Sequence, residues 1–284
     1  MRRERLKPFL ERVLAKYGKR ELLGTDPLQV VHRYEGARDQ EVVGFLAAGL
    51  AFGNVKAIVG ALDQALGVLG EHPAAALKGI QRKNALRLAR GFNYRWVRDV
   101  DLANVYSLLG AALRAHGRLE PLFAAGMREG AEDTLGGAAS LVEGLRALAP
   151  QGVDLSRRGT RSFMPAVHGA GASKRMHMFL RWMVREDELD LGLWSSARPA
   201  QLIVPLDRHI ARMARHLGLT ARRTPGRAMA LEITAALRAL DAEDPIKYDF
   251  ALCRLGILGE CPAHRDPTRC QVCMLEPVCR LPSP

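Results

Sequence analysis

The chain has 284 residues, 48 % of them hydrophobic, and a formal net charge of +12, with 42 Lys and Arg against 30 Asp and Glu. That is enough apolar material for one large domain or two smaller ones around a shared core, and it excludes a disordered basic tail. No apolar run approaches the ~18 residues of a membrane span. Residues 1–7 are basic but lead into no apolar segment with a cleavage site, so no signal peptide is expected. Four of the five cysteines are clustered, unlike a secreted disulfide framework, so a reducing cytoplasm and a metal site are expected. The charge surplus points to a polyanionic partner, nucleic acid first, with an Arg- and Ala-rich genome as the plainer explanation.

Aromatic residues make up only 6 % of the chain, while Ala, Leu and Arg dominate, a mixture that favours helix over strand. Apolar residues recur at helical spacing almost throughout. Residues 6–17 read as a first helix, and Thr25-Asp26-Pro27 interrupts. Asp39 is placed to cap the next helix, whose stretch 42–52 is apolar nearly all round and reads as a central buried helix. Gly53-Asn54 breaks it, and residues 55–69 form another. Further helices are predicted at 85–90, 97–116, 121–125 and 135–148. Residues 149–171, with Pro, Gly, Ser and the arginines Arg157, Arg158 and Arg161, read as loop. Helices resume at 174–185, 206–217, 227–240 and 245–256, and no strand pattern of useful length is visible. The tail after Gly259 is Pro-rich and Cys-rich with little core of its own, so it is expected to fold only around a metal.

That tail holds Cys261, Cys270, Cys273 and Cys279, spaced C-x8-C-x2-C-x5-C within 19 residues. Thiolates two apart project to one side of a tight turn and chelate soft metals well. The loop resembles the single four-cysteine loop of endonuclease III and the related adenine glycosylases, C-x6-C-x2-C-x5-C, with only the first interval longer here. The resemblance implies a structural [4Fe-4S] cluster, with zinc as the alternative, pinning a basic loop (Arg265, Arg269, Arg280) against phosphates. Cys253, in the preceding helix, reads as a small buried hydrophobe.

Upstream, Pro165-Ala166-Val167-His168-Gly169-Ala170-Gly171 precedes a helix opening near Lys174. It is similar to the Gly-x-Gly-x-Lys hairpin of the helix-hairpin-helix DNA glycosylases, but one residue longer before the lysine. Further on, Val204-Pro205-Leu206-Asp207-Arg208-His209 resembles the aspartate segment of the 8-oxoguanine glycosylases. By that resemblance Lys174 is the nucleophile and Asp207 the carboxylate that orients it and stabilises the cationic sugar. Gly169 and Gly171 hold a DNA phosphate, and His209 contacts the extruded base or a phosphate. Taken alone, a lysine at a helix start is a solvated residue, and Asp207 is also placed as an N-cap.

The polar break at Phe52-Gly53-Asn54-Val55-Lys56 occupies the place of the plug that fills the hole left by a flipped nucleotide, which makes Asn54 the wedge candidate; Gly-Asn also makes a plain turn. Arg208, Arg212 and Arg215 recur at four- and three-residue spacing as a stripe suited to phosphates, or simply to solvent. Trp182 and Trp194 are either core or stacking platforms for a base.

The expected architecture is therefore all-α and two-lobed. Residues 36–193 form one lobe, carrying the hairpin and Lys174. Residues 1–35 and 194–284 form the other, with Asp207 and the cluster loop 261–279, and the cleft lies between them. The resemblance implies a monomeric base-excision repair enzyme, cytoplasmic and at the nucleoid when bound to double-stranded DNA, that excises an oxidised base, most readily 8-oxoguanine, with strand cleavage at the abasic site. The alternative is a non-catalytic, metal-stabilised DNA-binding protein.

Overall fold

The computed structural model describes residues 3–281; residues 1–2 and 282–284, the outer ends of the predicted second lobe, lie outside the described residues. The first half contains α1 (Lys7–Tyr17), α2 (Leu28–Val31), α3 (Ala37–Leu50), α4 (Val55–Gly67), α5 (Pro73–Lys78) and α6 (Arg82–Leu88). A two-residue-per-strand hairpin follows, β1 (Asn93–Tyr94) and β2 (Val97–Arg98), leading into α7 (Asp99–His116), α8 (Glu120–Ala124) and α9 (Leu135–Ala147). The second half contains α10 (Arg158–Arg161), α11 (Lys174–Val184), α12 (Arg208–His216), α13 (Arg227–Arg238), α14 (Asp249–Ile257) and α15 (Pro267–Gln271). The protein is mostly helical, and among the described residues no helix is long and apolar enough to cross a membrane.

Helix α3 is the buried centre that its apolar circumference predicts: every residue from Glu41 to Leu50 is buried. It packs against α2, α4, α5 and α11, while α7 gathers α5, α6, α9 and α10. At the other side α14 packs against both α1 and α12, so the two ends of the chain meet. One contiguous apolar core runs through all of these, from Leu6 to Val278.

Charges are used to stitch segments across this core. Glu41, fully buried, accepts the backbone N–H groups of Leu119 (2.7 Å) and Glu120 (3.1 Å) at the start of α8, and the indole N–H of Trp194 (2.7 Å). On α11, Arg181 reaches Asp249 of α14 at 2.6 Å and Asp190 at 3.1 Å, and Arg185 reaches Asp190 at 2.6 Å and Asp244 at 2.8 Å. Arg254 of α14 pairs with Asp26 at 3.0 Å. All three arginines are buried, so each ion depends on its partners to offset desolvation.

Several expectations are corrected here. Asp39 does not cap α3; the cap is Gly36, in a positive-φ conformation (φ 83), and Asp39 instead accepts the N–H of Ala74 at 2.7 Å, tying α5 to α3. Trp182 and Trp194 are 0 % and 2 % exposed, so neither offers a face to a base; both are core, where flat indoles bury the most area. Residues 149–171 are not all loop, since α10 lies within them. The hairpin at 93–98 leaves no sequence signature, because two residues per strand are too few for an alternation.

Candidate active site and cysteine loop

The sequence around Asp207 explains its position. After the buried extended run Leu202–Leu206, Asp207 ends the non-helical segment and caps α12: its Oδ1 accepts the N–H groups of His209 (2.8 Å) and Ile210 (2.9 Å). That leaves Oδ2 free to face outward from the cap. Lys174 is the first residue of α11, and its Nζ lies 3.4 Å from Asp207 Oδ2. The lysine side chain is 35 % exposed and the aspartate 15 %, so the amine can be reached while its partner is largely enclosed.

The two line an open cleft of about 710 Å³, walled by Thr25–Pro27, by the Phe52–Val55 turn, by Met178 and Arg181 of α11, and by Asp249, Phe250, Cys253 and Arg254 of α14. Arg208 and His209 line it too. Burial works against the charge on Lys174, but Asp207, with lesser help from Cys253, Asp26 and Asp249, holds its pKa above the usual lysine range. Burial likewise raises Asp207, and Lys174 together with the N–H groups of Ile210 and His209 outweighs it, holding the carboxyl below its usual range. At neutral pH the pair is ammonium and carboxylate. Burial lowers His209, so its ring is neutral; Nε2 faces Arg208 Nε at 3.2 Å, and the ring lies against Gly256, where a Cβ would collide with it.

Asn54 sits exposed at the cleft rim and caps α4, its Oδ1 accepting the N–H of Ala57 at 2.9 Å. The turn it occupies is braced by the 93–98 hairpin. Tyr94 donates its hydroxyl to the Phe52 carbonyl, and Phe52 stacks on Trp96 (4.2 Å between centroids, 16°) and on Tyr94 (5.0 Å). Arg158 lies over Trp96 and Arg175 over Phe52 at 5.0 and 5.2 Å. Arg95, exposed and held at φ 56, places its guanidinium beside Gly53. Only the fold assembles this brace, because its aromatic residues lie about forty positions apart in sequence.

The loop before Lys174 departs from the expected hairpin. Neither Gly169 nor Gly171 has positive φ, and neither lines the cleft; the left-handed residue is Ser173, φ 44, at the cap of α11. The loop is anchored to the start of α13, where Arg227 N–H donates to the Ala170 carbonyl at 3.0 Å and its guanidinium to the His168 carbonyl. Arg212 faces away from the cleft and donates to the Cys261 carbonyl, so it tethers the cysteine loop. Arg215 is exposed and donates to the Arg223 carbonyl.

Sequence reasoning missed Asp26, Asp249 and Cys253 as cleft residues. Asp249 is 4 % exposed, and burial pushes its carboxyl up to about 6 even beside Arg181. Cys253 is no inert hydrophobe: its Sγ lies 3.6 Å from Asp207 Oδ2. The available signal was the four-residue spacing of Asp249 and Cys253, which puts two polar groups on one face of an apolar helix.

The four remaining cysteines rim one small cavity of about 30 Å³, together with Met213, His216 and Leu217 of α12 and its following turn. None is in a disulfide. Asp266 N–H points at Cys270 Sγ (3.4 Å), an arrangement suited to a thiolate acceptor. Burial raises the Cys261 thiol to about 11 and raises Cys273 as well. Among the described residues no group of three or more His, Cys, Asp or Glu closes to the spacing of a metal ion. Four thiols are a soft donor set of the kind that holds zinc or an iron-sulfur group. The three loop arginines are engaged within the protein: Arg265 with Glu276, Arg269 with the Gly259 carbonyl, and Arg280 against Gly218.

The chain belongs to the family described as "Protein of unknown function (DUF2400)", whose model matches residues 26–258. That span contains every cleft residue named above except Thr25 and stops short of Cys261. No curated protein matches the chain.

Proposed function

We propose that this protein is a DNA glycosylase with associated AP lyase activity, acting on an oxidised base, most readily 8-oxoguanine, in double-stranded DNA. The observation that carries the reading is the Lys174 amine set 3.4 Å from the Asp207 carboxylate in a cleft large enough for an extruded nucleotide. Two further features support it: a polar residue, Asn54, at the rim on a braced turn, and a net charge of +12 to meet phosphates.

The chemistry follows from the pair. The glycosidic C1′–N bond breaks with its electrons leaving on the base, and Asp207 stabilises the cationic sugar. Lys174 rests as an ammonium, so it must give up its proton, which the departing base can take. The freed amine then bonds to C1′, the C1′–O4′ bond opens to an iminium, and loss of a C2′ proton expels the 3′-phosphate. Cys261, Cys270, Cys273 and Cys279 would hold a [4Fe-4S] cluster, or zinc as the alternative. Bound there, the group supplies a rigid tie for a loop with little core of its own.

The test is borohydride trapping on duplexes bearing 8-oxoguanine, thymine glycol or uracil. A covalent adduct that disappears in Lys174→Gln, with DNA affinity retained, is the expected result. Free-base release without an adduct would mean a monofunctional enzyme using Asp207 and water. Tight, salt-sensitive binding with neither product would replace the reading by the non-catalytic DNA-binding one.

A further inference from the structure

Asp207 Oδ2 has two neighbours. Lys174 Nζ approaches at 3.4 Å and Cys253 Sγ at 3.6 Å, while Oδ1 is fully occupied by the cap of α12. The thiol is itself oriented: Arg254 Nη2 points at Cys253 Sγ (3.8 Å), and that guanidinium is fixed by Asp26 at 3.0 Å. The donor direction therefore runs one way, from the Arg254 N–H to sulfur and from the S–H to Oδ2. A thiolate in this place would face the Asp207 carboxylate across 3.6 Å, so the neutral, donating form is the one the geometry accepts.

We propose that Cys253 is a positioning residue that sets the reactivity of Lys174 through Asp207. By donating to Oδ2 it fixes the carboxylate rotamer toward the cleft and takes up part of the charge that would otherwise bind the ammonium. Its thiol, which burial pushes up to about 12, stays protonated across the working range. The idea rests on the glycosylase reading for its catalytic meaning, although its physical content is a statement about Lys174 alone. The charged and titratable groups around the lysine are Asp207 at the cap of α12, Arg208 and His209 from α12, Asp249, Cys253 and Arg254 from α14, Arg181 from α11, and Asp26.

The sign is fixed. Removing the S–H leaves Asp207 a stronger partner for Lys174, so the lysine should hold its proton to higher pH. The measurement is the pH dependence of Lys174 acetylation by acetic anhydride, read by mass spectrometry on the full-length protein without DNA. Cys253→Ala should move the midpoint upward by about half a pH unit, the size of one weak hydrogen bond. Cys253→Ser, which restores a donor, should return it toward the wild-type value. A purely structural cysteine would lower the melting temperature of both variants and leave the midpoint where it was; that outcome overturns the proposal, as does a serine variant that behaves like alanine. If the midpoint moves as expected but wild-type protein traps no DNA, the positioning role stands and the glycosylase reading falls.

Discussion

The cleft and the cysteine loop are built by opposite means. The cleft draws Asp26, Lys174, Asp207, Asp249 and Cys253 from four separate segments and holds them with packed helices and buried ion pairs. The loop draws its four thiols from 19 consecutive residues, with one five-residue helix, one 3-10 turn and very few buried side chains. In the first case packed helices form the scaffold; in the second, the metal group proposed above would supply what the scaffold lacks. The two would therefore fail differently: the cleft through loss of its supporting ions, the loop through loss of the metal group proposed for it.

The sharpest way to break this comparison is to take the proposed metal group away. Chelation, or Cys273→Ser, should expose residues 259–281 to limited proteolysis while residues 26–258 keep their helical circular dichroism. Loss of helicity throughout would mean that the loop supports the whole molecule. Arg181→Met comes next, because it strands Asp249 without its cation and leaves Asp190 with Arg185 alone; urea denaturation should show a loss of about 3–5 kcal/mol. A loss within error would mean that the cleft is not held by its buried ions.

Asp207 separates support from chemistry. Asp207→Asn keeps a good N-cap for α12, so the melting temperature should hardly move, yet base release should slow by about 10²–10³. Asp207→Ala should add a stability loss of about 1 kcal/mol for the missing cap. Equal destabilisation by both would mean the residue is only structural.

The smallest effect is in pH. Asp207 is held below its ordinary value of 3.8, so its contribution is full above that value and is lost as pH falls through the lower one in the folded protein. Lys174 is held above 10.5, so its share is present below that value and is lost as pH rises past it. The stability difference between wild type and Asp207→Asn should be flat through neutrality and shrink at both extremes, as thermal melts across the range would show.

Much of the helical layout was legible because 3.6-residue periodicity is a local signal: α3, α4, α7, α9 and α11 to α13 lie within a few residues of their predicted ends. Asp207 as the cap of α12 was readable for the same reason, since a cap is made with the next three residues. Asp39 misled because the side chain best placed to cap its own helix was instead taken by α5, 35 residues away.

The sequence by itself therefore determined the helices, the cysteine spacing and the basic surplus, all of which depend on residues close together in the chain. Only the tertiary structure decided that Lys174 meets Asp207, that Cys253 touches the same oxygen, and that Phe52, Tyr94 and Trp96 brace the turn that carries Asn54. It also decided that Trp182 and Trp194 face inward, away from any base. The reason is range. Backbone propensity and capping act within a few residues, whereas burial and charge pairing are settled only when distant helices pack and water is excluded between them.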